Sequence, residues 1–104
     1  MCNYNEKHDE FCLNTNIRLV GLISNFKLYI NGNLLISNCI NFSYIKNTLF
    51  ITKSNNIIYI FSIDANNIVT KLDDFNLLLE NSKTIRIGIT KYIIDANCDI
   101  TSHQ

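Results

Sequence analysis

A chain of 104 residues has room for one small domain. Nine basic and nine acidic residues cancel to a formal charge of zero, which removes the electrostatic footprint of a nucleic-acid binder, whose affinity rests on neutralised phosphates. At 47% apolar the composition is that of a chain able to fold, and no run approaches the roughly 18 consecutive apolar residues of a membrane helix.

Residues 1–16 show no periodicity and read as a polar lead-in. MCNYNEKHDEF carries neither the basic nor the apolar region of a secretory leader. The expected location is therefore cytoplasmic. Four cysteines, Cys2, Cys12, Cys39 and Cys98, lie far apart without a C-x-x-C pair and are expected to be free thiols. From residue 17 the pattern changes. IRLVGLI (17–23) and FKLYI (26–30) are strand-like runs separated by Ser24-Asn25, a tight hairpin signal. Asn31-Gly32 supplies the positive φ of a primed turn into LLIS (34–37), a third strand.

INFSYI (40–45) alternates, with Ile40, Phe42 and Tyr44 on one face. Lys46-Asn47 then turns into TLFIT (48–52), and residues 53–56 turn into IIYIFSI (57–63). That last run is apolar on both faces and reads as buried between neighbours. Residues 64–67 turn into IVTKL (68–72). Asp73–Glu80 is a helical candidate of one or two turns, capped by Asp73 or Asp74, or else a loop carrying Leu77, Leu78 and Leu79 inward. TIRIGI (84–89) and YIIDA (91–95) resume strand character before a polar tail. The expected fold class is all-β, an antiparallel meander. Its four short strands over 40–72 are the unit of a propeller blade, although a sandwich or barrel would present the same strings.

Chemistry is sparse. His8-Asp9-Glu10 is the tight cluster of His with carboxylates, and it sits in the lead-in, where nothing would hold a catalytic geometry. Asp73-Asp74 lacks the spaced oxygens and central Gly of a calcium loop, and adjacent carboxylates on a strand point to opposite faces. Gly21, Gly32 and Gly88 are isolated, so no phosphate-cradling loop is present. Cys39 has no base nearby in sequence and reads as a core filler. Lys27 with Tyr29, and Lys53 with Tyr59 across a hairpin, interleave cations and rings, but too thinly for a base-stacking surface. No catalytic, cofactor-binding or metal-binding residue is assigned, and the chain is expected not to be an enzyme.

The stretch from Arg18 to Asp64 resembles a segment of the Elongator complex protein 1 family, the large scaffold subunit of Elongator. The residues carrying it are Val20-Gly21-Leu22-Ile23, Leu28-Tyr29, Asn31, the run Leu34 to Phe42, Leu49-Phe50-Ile51-Thr52, and Ile63-Asp64. Ile23 departs from the family's Ser/Thr, and Ile40-Asn41 from its Thr-Ser. The resemblance implies part of a WD40-like β-propeller, near the end of the second propeller of that subunit. Residues 17–37 would close one blade, 38–72 would form a four-stranded blade, and 73–104 would supply a short helix or loop plus two further strands. It also implies a non-catalytic scaffold role in tRNA wobble uridine modification. The partners would be other Elongator subunits, with no direct nucleic-acid site in this segment, no membrane and no cofactor. Taken alone, the residues also allow a free-standing β interaction module. The two differ in whether the sheet faces are covered within the chain.

Overall fold

The computed structural model describes residues 10–14, 16–22, 24–66 and 68–104. Ten strands follow in chain order: β1 (Glu10–Asn14), β2 (Ile17–Leu22), β3 (Asn25–Ile30), β4 (Asn33–Ile45), β5 (Thr48–Lys53), β6 (Ile57–Ile63), β7 (Val69–Asn76), β8 (Ser82–Ile87), β9 (Thr90–Asp95) and β10 (Ile100–His103). The first seven form one antiparallel sheet in sequential order, and the last three form a second, in the order β10-β9-β8. The all-β antiparallel expectation holds. Among the described residues no helix is long and apolar enough to cross a membrane.

The turns are set by residues that accept positive φ. Asn31 (φ 53°) and Gly32 (φ 81°) join β3 to β4, and Lys46 (φ 50°) and Asn47 (φ 63°) join β4 to β5. Each is a two-residue link, closing the pairs Ile30 with Asn33 and Ile45 with Thr48. That backbone twist matches the flanking strands.

The expected break between 34–37 and 40–45 is absent: both belong to β4, which runs for 13 residues. Asn38 adopts φ 59° within it, and the pairing shifts register on both sides of Cys39. Bulges of this kind bend a strand and raise its twist. The N-terminal part of β4 pairs with β3 and its C-terminal part with β5. The two halves of the sheet share one core, which unites Ile17 and Leu19 of β2, Phe26, Leu28 and Ile30 of β3, and Cys39 with Leu49, Ile51, Phe61 and Ile63 from β4 to β6.

The other face of β5 and β6 belongs to a second core. Phe50, Ile58, Ile60 and Phe75 pack there with Tyr92 and Ile94 of the three-stranded sheet. The alternation is strict. Leu49 and Ile51 enter the first core, Phe50 enters the second, and all three are at most 1% exposed. The double-sided burial expected of 57–63 is therefore found, and it extends to β5. A buried hydroxyl pair adds direction to this packing: Thr48 Oγ1 donates to Tyr92 Oη at 3.2 Å, and Tyr92 Oη donates to the Ile45 carbonyl at 3.4 Å.

Three further expectations need correction. No helix occupies 73–80, and the leucines do not all turn inward: β7 continues to Asn76, Leu77 packs against the second core, and Leu78 and Leu79 are 74% and 81% exposed. The reason is Phe75, which is fully buried opposite Ile58. Burying it is worth up to about 3 kcal/mol, against about 1 kcal/mol for a helix cap. Residues 10–14 of the expected lead-in form β1, whose ladder partners are Ile17 to Val20 of β2. The C-terminal segment holds three strands rather than two, because Ile100–His103 pairs with β9 from Ile94 to Lys91.

Candidate functional site

The sequence motifs with chemical potential distribute as follows. His8 and Asp9 lie outside the described residues. Glu10 opens β1, its backbone opposite Val20. Asp73 and Asp74 diverge as expected. Asp73 turns toward the three-stranded sheet, where Lys83 Nζ lies 3.0 Å from its Oδ2, and Asp74 turns to the other face and meets Lys71 at 3.2 Å.

Lys83 and, after it, the Asp74 N–H hold the Asp73 carboxyl below its ordinary value of 3.8. The unfolded chain then binds the proton more readily than the folded one. The stabilisation is fully present above that ordinary value and is lost as pH falls through the lower folded one. With Asp73 41% exposed, solvent screening limits the pair to about 0.5 kcal/mol. Asp73→Asn is expected to lower the unfolding free energy by about that amount at neutral pH, and denaturant titrations in strong acid should show the two chains equally stable.

Lys53 and Tyr59 meet across the β5–β6 hairpin as their spacing suggested, with Nζ 5.9 Å from the ring centroid. Lys71 lies on the same ring at 5.2 Å and is itself held by Asp74. Lys71 escaped the sequence reading because a register shift between Ile60 and Phe61 alters the alternation of β7 around Leu72. For Tyr29 the cation is Arg18, at 5.6 Å, rather than Lys27. Arg18 is directly opposite Tyr29 in the ladder. These are cross-strand pairs that brace a half-buried sheet face, each worth under about 1 kcal/mol.

Cys39 is fully buried, and burial pushes its thiol up to about 11, against a smaller opposing pull from Lys53. A thiolate is the reactive form. The core-filler expectation holds. At pH 8 about a thousandth of such a thiol is ionised even where reagent reaches it. Iodoacetamide is therefore expected to label Cys39 only as fast as the chain opens, with peptide mapping showing the rate rise in denaturant. Of the four cysteines, the side chains of Cys39 and Cys98 are described, and both are free thiols.

Of the remaining acids, Asp64 and Asp95 cap turns. Asp64 Oδ1 accepts from the N–H groups of Asn66 and Ile68 at 2.8 and 2.9 Å, and Asp95 Oδ1 from those of Asn97 and Asp99 at 2.8 and 3.0 Å. Among the described residues no group of three metal-ligating side chains converges. One concavity among the described residues is an open groove of about 240 Å³ beside the β3–β4 turn, lined by Ile30, Asn31, Asn33, Leu34, Leu35, Ile68 and Val69. Its lining is mostly apolar, and Leu34 and Ile68 within it are 53% and 60% exposed. It holds no acid, base or nucleophile.

No family model, curated protein or solved structure matches this chain.

Proposed function

We propose that the chain is a non-catalytic β interaction module, acting through the outer surfaces of a doubly packed sheet. What supports this is how several of its chemically capable side chains among the described residues are employed. Asp73 and Asp74 are paired with lysines, Asp64 and Asp95 close turns, and Cys39 is sealed in the core. The apolar run of β6 that seemed to demand neighbours from a larger assembly finds both of them among the described strands. That favours the module over a slice of a larger scaffold.

The scaffold reading is supported by a different observation. From Cys39 to Asn76, parts of four successive strands form an antiparallel meander with a packed core on each face, the arrangement of a propeller blade between its neighbours. On that reading the segment would serve Elongator as part of its scaffold subunit. Tagging the chain at its own locus and identifying both the tagged product and its companions by mass spectrometry separates the two. A 12.0 kDa product arriving with protein partners unrelated to Elongator supports the module. A far larger product arriving with Elongator subunits overturns it in favour of the scaffold.

A further inference from the structure

The outer face of the three-stranded sheet carries a row of basic groups that only its register reveals. Arg86 of β8 lies directly opposite Lys91 of β9, and Lys91 directly opposite His103 of β10. All three project away from the second core, since Ile85, Ile87, Tyr92, Ile94 and Ile100 occupy its inner side. Arg86 and His103 are exposed and Lys91 is half-buried. With neighbouring strands about 4.8 Å apart, the row spans about 10 Å.

Like charges directly opposite one another weaken a sheet, and among the described residues no ion pair offsets Arg86 opposite Lys91. Among the described residues neither Arg86 nor Lys91 makes an ion pair. The acid on the same face is Asp95, opposite Ser82. It lies four residues along β9 from Lys91, and its carboxylate is engaged by two turn N–H groups. Beside the basic row runs a second, Thr84–Ile93–Thr101, of two exposed hydroxyls around a half-buried apolar centre.

We propose that this face binds an acidic peptide segment of a partner protein, with carboxylates over Arg86, Lys91 and His103 and an apolar side chain over Ile93. Alternate side chains of an extended peptide recur about every 7 Å, so two carboxylates span the row within reach of the long basic stems. A nucleic-acid strand fits less well. Among its described residues the face presents no Phe, Tyr or Trp ring on which a base would stack, and so short a row of basic groups neutralises few phosphates. The inference rests on the reading of the chain as an interaction module and names the chemistry of its partner.

The test is a titration of the full chain with a fluorescein-labelled hexaglutamate peptide, followed by anisotropy, with labelled oligothymidylate in parallel. Saturable, salt-sensitive peptide binding is expected. Arg86→Glu and Lys91→Glu should each weaken it roughly tenfold, the scale for losing and inverting one charge-assisted contact. Lys27→Glu, an exposed position on β3, should leave it unchanged. Arg86→Glu places unlike charges opposite each other, so it should melt no lower than the parent, and weakened binding cannot then be misread as unfolding. Equal loss in Lys27→Glu, no loss in either reversal, or no saturation at millimolar peptide overturns the proposal. Tighter binding of oligothymidylate also overturns it, in favour of a phosphodiester ligand. If peptide binding fails while the tagged chain still brings down a protein partner, the module reading stands without this face.

Discussion

Phe50→Ala is expected to lower the unfolding free energy by about 3–5 kcal/mol, the cost of removing a large aromatic from a closed core. Phe50 is 1% exposed, and its ring lies 5.4 Å from that of Tyr92, tilted by 57°. That contact spans the two sheets. The aromatic pair itself contributes about 0.5–1.5 kcal/mol beyond buried area. The cavity left by alanine would be walled by Ile58, Ile60, Phe75 and Ile94. These stand on extended strands whose ladders resist collapse into the space. A domain has about 5–15 kcal/mol of stability in total, so the loss is a large fraction of it. Urea titration followed by tyrosine fluorescence measures this directly. Phe50→Leu should recover more than half of the loss, because it keeps most of the volume. If alanine costs under about 1 kcal/mol, the three-stranded sheet is not docked as described.

Gly21→Ala is expected to cost about 3 kcal/mol, combining backbone strain with steric exclusion. Gly21 has φ 124°, a conformation that residues with a β-carbon rarely adopt. A β-carbon there would also lie 2.8 Å from the Asn25 carbonyl oxygen and 3.1 Å from Phe26 Cα. Both atoms are backbone of the paired strand, so relief would require β2 and β3 to separate. The pair Gly21 with Phe26 sits one step from the end of that hairpin. The loss should therefore appear first as faster amide exchange in β3, and only then as a lower melting temperature. Gly32→Ala, at φ 81° with open space around it, should cost less, because strain acts there without a clash.

How much of this was visible in the residues differs between fold and surface. The turns were visible because Asn31-Gly32 and Lys46-Asn47 are local devices whose geometry needs no distant partner. The double burial of β6 was visible in its unbroken apolar run. β10 was not, since Ile100 alone among its residues enters the apolar core, and its strand character is conferred by β9. Phe75 likewise looked like one apolar residue among carboxylates until Ile58 stood opposite it. The cross-strand cations divide in the same way. Lys53 and Tyr59 flank one hairpin and could be matched by counting. Lys71 reaches that ring through a register shift, and Arg86, Lys91 and His103 align through two ladders, one of them made by the unforeseen strand.

Every described strand pairs only with strands adjacent to it in sequence. Such a chain never waits for a distant segment to complete a ladder, so the loop-closure entropy of each pairing is small. Its contact order is low for an all-β protein, and hairpins can form on the microsecond scale and extend outward one strand at a time. The slow event is then the docking of the three-stranded sheet. Thr48 and Tyr92, 44 positions apart, meet only when that sheet closes. Until then the face of β5 bearing Phe50 is open to water, and crowding by other copies of the chain competes with its final cover.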